Sequence, residues 1–480
     1  MELTINPASY STWIWSIMKK KCLLFMTFWT VFVVLLGVYW YLQLLQHDQH
    51  TQPNIAAREQ SSINNGLGAS SAFLDSMKKY CNIPTLNHFN GLEGNFEEEY
   101  DLLGVITIFR HGDRGPLVTV NDKIEINCSS YVTERYKQLE NYVRTYKSDL
   151  LVVKLLPKSD FCIPGLLSKQ GASQLIELGN GFKESYAKYY DFSDSNAVKH
   201  VSASTTPYSR TIQSVYSFLF GLVGSKTFLN INLQKKSDVT FCFKNCRCEA
   251  AIRLEKSHKL ELNKLFENDL SLTNFSSQVQ MILKNSGKSK KSILPSTLKD
   301  MVLHYACHDQ IPDCSIKESI CLNSTTIMSL DYYLKREAEA SASGLNLKKA
   351  AILRAYGLLN NIDQQILSWI NMSKKRKSKT LLNFPYFHFF SGHDLTLMYI
   401  LASLHIYDGY LPHFASRLTF EILSKGSQYY LRILWNGLDV TKKICPSSPT
   451  YCNARILVNF LHIEMKRYFQ TEKFSEACEV

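Results

Sequence analysis

The chain has 480 residues, 45% of them hydrophobic and 20% charged, and a formal net charge of +12. That composition excludes an intrinsically disordered chain, and the length allows a large buried core in two domains or one enlarged one. The basic runs Lys288-Ser289-Lys290-Lys291 and Lys374-Lys375-Arg376-Lys377 lack interleaved aromatics and read as solvated loops, so the charge does not point to nucleic acid.

In chain order, the first feature is the stretch from Cys22 to Gln46, 25 residues without a formal charge. A helix of that length covers the ~30 Å hydrocarbon core of a bilayer. A cleaved signal peptide is the alternative, but the run exceeds a normal apolar h-region and no clean small-x-small site follows. Lys19, Lys20 and Lys21 precede the run, so positive charge predicts a cytosolic tail (1–21), a signal-anchor helix (22–45) and a lumenal stem (46–80).

Of 13 cysteines, Cys22 lies at this helix and twelve follow it. An even number in an oxidising space predicts up to six disulfides, with the pairing left open. Cys242-x3-Cys246-x-Cys248 and His304-x2-Cys307-His308-x5-Cys314 imitate metal sites, but neither has zinc-knuckle spacing, so disulfides are the reading and no metal is expected. Asn127, Asn274, Asn323 and Asn371 head glycosylation acceptor triplets.

Leu102–Phe109 is apolar and β-branched and predicts a buried strand, ending in the polar loop Arg110-His-Gly-Asp-Arg-Gly-Pro116. Leu175, Leu178, Phe182 and Tyr186 recur at helical spacing in Gly171–Tyr190. A second helix is expected after Pro207, with the proline in its first turn. Residues 245–375, including Leu254–Leu270 and Leu345–Ile370, read as mainly helical. Strands return at Tyr386–Phe390, Arg417–Leu423 and Tyr430–Trp435. Strand–helix alternation at both ends predicts an α/β fold carrying a helical insertion, with a core of 81–240 and 381–480 around an insertion of 241–380.

Three polar pieces follow apolar elements. Arg110 and Arg114 flank His111 at a strand end and offer forked donors to an anion, and Gly112 lets backbone approach a ligand. Arg210 stands beside an apolar helical run, where an unpaired guanidinium suffers desolvation. Ser391-Gly-His393-Asp394 follows an aromatic strand and supplies a donor and a proton source. Each piece alone also fits an ordinary surface or cap residue. Together they suit phosphomonoester hydrolysis: Arg110, Arg114, Arg210 and His393 bind phosphate, His111 attacks, and Asp394 protonates the leaving alcohol and then activates water. Arginine donors supply the charge, so no cofactor is expected.

Arg110-His-Gly-Asp-Arg-Gly-Pro116 resembles the RHGxRxP signature of the histidine acid phosphatases, and His393-Asp394 resembles their HD pair. Leu167–Gly171 with Gln174 and Leu178-Gly179, and Arg210-Thr211 with Ser214, follow in that family's order. The resemblance implies a phosphoglycerate mutase-like α/β core with a helical insertion, and the same nucleophile, proton donor and phosphate ligands. Tyr80–Pro84, Pro412–Glu421 and Arg432–Thr441 further resemble the branch that removes the 2-O-phosphate from xylose in the glycosaminoglycan–protein linkage region. That likeness implies a single-pass type II Golgi membrane protein with a lumenal catalytic domain. It also implies the phosphorylated glycan on proteoglycan core proteins and linkage-region glycosyltransferases as partners. The alternatives are a family member acting on a lysophospholipid, phosphotyrosine or inositol phosphate, and a non-catalytic phosphoglycan-binding relative.

Overall fold

In the computed structural model, the residues described are 80–83, 91–117, 126–146, 148–193, 197–236, 238–242, 247–284, 293–308, 324–375, 385–448 and 450–479. All belong to the compact unit Ser70–Val480.

The apolar run after Tyr100 forms β1 (Asp101–Arg110), buried almost throughout. Helix α1 (Lys169–Ser185) leads by way of β2 (Val201–Thr205) to α2 (Ser209–Val223) and β3 (Asn232–Lys235). Pro207 lies just ahead of α2, outside its first turn, because Tyr208 is the N-cap. The chain is then helical through α3 (Glu249–Phe266), α4 (Leu270–Lys284), α5 (Pro295–Cys307), α6 (Ser324–Ser343) and α7 (Leu345–Lys375). It returns to the sheet with β4 (Tyr386–Gly392), α8 (Asp394–Ser403), β5 (Arg417–Lys425), β6 (Gln428–Trp435) and β7 (Leu438–Asp439).

The strands lie in the order β3-β2-β4-β1-β5-β6-β7. β3, β2, β4 and β1 are parallel, and β5 to β7 continue the sheet antiparallel. Alternation along β4 divides the core: Phe387 and Phe389 pack with α1 and α2, whereas Phe390 faces the side covered by α7 and α8. Arg110 pairs with Gly392 and Thr205 with Ser391, so the carboxyl ends of β1, β4 and β2 meet at one edge. In open α/β sheets that edge is where ligands bind.

Disulfides join Cys81 to Cys307, Cys128 to Cys162, Cys248 to Cys478 and Cys445 to Cys452. Cys242 is also disulfide-bonded.

The membrane part of the expected architecture requires correction. Among the described residues no helix is long and apolar enough to cross a membrane, and the expected span 22–45 lies outside them. Even α7, at 31 residues, is unsuited to hydrocarbon, because Lys348, Lys349, Arg354 and Asp363 interrupt it while its apolar stripe packs inside the protein. The signal-anchor topology and the membrane attachment rested on that span and are set aside, as is the Golgi membrane location that the family likeness implied. The glycan and glycosyltransferase partners that the family likeness implied have no support among these findings and are set aside too.

Candidate active site

The loop after β1 is fixed from both sides. His111 N–H donates to the Gly392 carbonyl at 3.0 Å, and its own carbonyl accepts from Ala415 N–H at 3.3 Å. On the helix side a Cβ at Gly112 would come 2.1 Å from the Gly171 carbonyl oxygen, and one at Gly171 would come 2.1 Å from that of Asp113. Gly112 therefore serves the contact of this loop with the first turn of α1. Ser168, the N-cap of α1, accepts from Gly171 N–H at 2.9 Å and donates to Asp113 Oδ2 at 2.5 Å. Asp113 N–H donates to Gln174 Oε1 at 2.7 Å.

His111 is fully enclosed, and its Nδ1 lies 2.7 Å from the Gly112 carbonyl oxygen. A carbonyl only accepts, so Nδ1 carries the proton and Nε2 is left with its lone pair. Burial first, then the charges of Arg110 and Arg210, hold this imidazole well below the usual histidine range. It stays neutral in mild acid.

Arg110 is wholly inside. Its Nη1 donates to Tyr80 Oη at 2.8 Å and to the Pro412 carbonyl at 2.6 Å, and its Nη2 pairs with Asp394 Oδ2 at 2.9 Å. The guanidinium lies on the Phe414 ring, 4.2 Å from its centroid, and Nε has no hydrogen-bond partner among the described residues. Arg114 Nη2 pairs with Asp300 Oδ1 at 2.9 Å. Arg210 Nη2 stands 3.3 Å from His393 Nδ1, and its Nε is likewise buried and unpartnered. Burial and the neighbouring Arg114 bring the Arg210 guanidinium down to about 10. Donors crowded together in this way strain toward an anion.

His393 caps the start of α8. Its Nδ1 accepts from Arg210, so its Nε2 proton points to Thr206 Oγ1 at 3.0 Å. The rings of His111 and His393 stand 5.6 Å apart. Asp394 Oδ1 accepts from Leu395 N–H at 2.8 Å. Burial works to raise the Asp394 carboxyl, but Arg110 and Arg114 prevail and hold it below the usual carboxylate range. The structure thus brings Arg110, His111, Arg114, Arg210, His393 and Asp394 to one edge of the sheet. Of the glycosylation candidates, Asn127, Asn274 and Asn371 are exposed, and Asn323 lies outside the described residues.

Several supporting residues were not given that role from the sequence, although His304 and His308 stood in the spacing that imitates a metal site. Asp300, His304 and His308 come from α5 and its C-cap. His308 Nε2 contacts Asp113 Oδ2 at 3.1 Å, and His304 is pushed down to about 4 by burial against the opposing pull of Asp300 and Asp113. Cys128, Cys162 and His308 place potential metal-ligating atoms together, but the two sulfurs are bonded to one another and offer no thiolate. Tyr80 stood out only within the Tyr80–Pro84 stretch that carries the narrower resemblance, with no role attached to it, and Lys299 sits in no motif at all.

The family model for the histidine phosphatase superfamily (branch 2) matches residues 101–436. The chain belongs to this family. A histidine phosphatase core with helical insertions is thereby assured, and with it an enzyme of the phosphatase class. A 2-phosphoxylose phosphatase 1 of Xenopus tropicalis is 26% identical over 423 residues, 83% of this chain and 81% of that protein. That of Danio rerio is 23% identical over 483 residues, 91% of this chain and 94% of its own. Among solved structures, the phytase from D. castellii is 15% identical with a TM-score of 0.47, covering 84% of this chain and 88% of that one.

Proposed function

We propose that this histidine phosphatase hydrolyses phosphomonoesters through a phosphohistidine at His111, and that its substrate is 2-phosphoxylose. The observation that carries the reaction is the His111 tautomer: Nδ1–H is tied to the Gly112 carbonyl, and Nε2 is an unprotonated nucleophile beside arginine donors. In the first step Nε2 attacks phosphorus, the bond from phosphorus to the ester oxygen breaks, and the departing alkoxide takes a proton from Asp394. In the second, water attacks phosphorus, its proton goes to Asp394, and the P–N bond breaks to release phosphate and neutral His111.

Arg110, Arg114, Arg210 and His393 serve the phosphate oxygens in this scheme. Asp394 is ionised in the free site, so it acquires its proton when a phosphate monoanion arrives and offsets the arginine charges. The likeness to 2-phosphoxylose phosphatases over most of the chain supports the substrate.

The test is a panel of phosphomonoesters given to the full chain and to His111→Ala. Turnover of xylose 2-phosphate above phosphotyrosine, lysophosphatidate and inositol phosphates is expected, with acid-labile labelled phosphoenzyme in the wild type alone. Preference for another panel member would replace the substrate, and label retained in His111→Ala would replace the nucleophile.

A further inference from the structure

A cavity of about 520 Å³ opens beside Asp394, walled on one side by Tyr80 and Tyr399 and on the other by α3, α5 and α6. Lys299 of α5 and Glu337 of α6 both line it. Lys299 Nζ stands 3.4 Å from the centroid of the Tyr80 ring, and Tyr80 Oη in turn accepts from Arg110, the partner of Asp394. The cavity is therefore connected to the reacting groups by a short run of contacts.

Among the described residues no carboxylate lies within ion-pair distance of Lys299. Two of the carboxylates that act on it are committed elsewhere: Asp300 to Arg114 and Glu337 to the backbone N–H and hydroxyl of Ser296. Burial and the charge of Arg110 bring the Lys299 ammonium down to about 7, with Asp331, Glu337 and Asp300 acting on it only through space. Glu337 has no cationic partner either, and burial raises its carboxyl. The lining between them is largely apolar, including Leu262, Leu303 and Leu334.

We infer that this cavity seats the leaving alcohol, and that Lys299 as donor and Glu337 as acceptor select alcohols bearing several hydroxyl groups, the class of sugars and polyols. This rests on the phosphomonoesterase reading above. Lys299 recovers a hydrogen bond only from a ligand that has oxygens to offer, and Glu337, already accepting from Ser296, keeps lone pairs for a ligand hydroxyl. An aryl or acyl leaving group leaves Lys299 without an acceptor and offers Glu337 no hydroxyl. A second anionic group gains from Lys299 but meets the Glu337 carboxylate.

Lys299→Met and Glu337→Gln in the full chain test the inference, with xylose 2-phosphate and phenyl phosphate as substrates. Each variant should raise KM for xylose 2-phosphate about tenfold or more, the loss expected of one charged hydrogen bond. KM for phenyl phosphate should stay within about twofold, since that leaving group lacks hydroxyls. Equal changes on both substrates, or none on either, in a variant with native melting behaviour would overturn the role of the cavity. If one variant does not fold, the other decides by the same comparison. Wild-type enzyme inactive on both substrates would instead overturn the proposed reaction.

Discussion

Asp394 and Arg110 meet as an ion pair, Oδ2 to Nη2 at 2.9 Å, and the contact holds the Asp394 carboxyl ionised before substrate arrives. A carboxylate in that state cannot give a proton. In the proposed mechanism it becomes an acid only when bound phosphate draws off the arginine charge, which couples proton supply to substrate binding.

Asp394→Asn separates this role from a structural one. A sugar alkoxide is a poor leaving group, so single-turnover release of xylose should slow by about 10²–10⁴-fold. Release of p-nitrophenolate, which leaves without a proton, should slow by less than about tenfold. Equal losses would leave Asp394 as an organiser of His393.

Substrate-borne protons also set the pH dependence. The second ionisation of a phosphomonoester lies near pH 6, and the dianion lacks the proton that Asp394 needs. kcat/KM should therefore fall by about tenfold per pH unit well above that ionisation. On the acid side, His111 stays neutral below the ordinary histidine range, so no enzyme loss is expected at about pH 6.5.

Gly171→Ala tests the contact between loop and helix. The new methyl would lie 2.1 Å from the Asp113 carbonyl oxygen, so the loop must shift. Overpacking of this kind costs about 1–3 kcal/mol of stability. Thermal melting should register that cost, while kcat falls further than the melting temperature alone would suggest.

His388 gives a stability prediction with a definite sign. It sits between Ser202 Oγ at 2.7 Å and Ser204 Oγ at 3.0 Å, and burial pushes it down to about 3. As pH falls through the unfolded value near 6.5, the unfolded chain takes up a proton that the folded protein refuses. Its contribution is thus full above that pH, and about 2 kcal/mol is lost by pH 5. His388→Gln should lower the melting temperature at neutral pH yet flatten its decline between pH 7 and 5.

Much of the sheet was legible because β-branched and aromatic runs end abruptly in polar residues, as at Phe109-Arg110 and Phe390-Ser391. The parallel ends of β1 and β4 then bring His111 and His393 together, which a reading of the two motifs as one site anticipates. What stayed hidden was support from far along the chain. Asp300 reaches Arg114, and His308 reaches Asp113, from a helical region where the histidines and cysteines imitated a metal site and nothing marked Asp300. Lys299 was equally silent, since a lysine in a helix reads as a solvated one. Gly112 was legible as a close approach but not as an approach to Gly171, because its partner is set by the packing of α1.

The Cys81–Cys307 bond has a consequence for how firmly the loop after β1 is held. Its immediate neighbours, Tyr80 and His308, touch Arg110 and Asp113, so a single covalent closure across 226 positions brings two struts to the same loop. A freshly made chain whose sheet has assembled but whose thiols remain reduced would hold every proposed reacting group and still lack that bracing. Reduction of that one bond would therefore loosen both struts of the loop together.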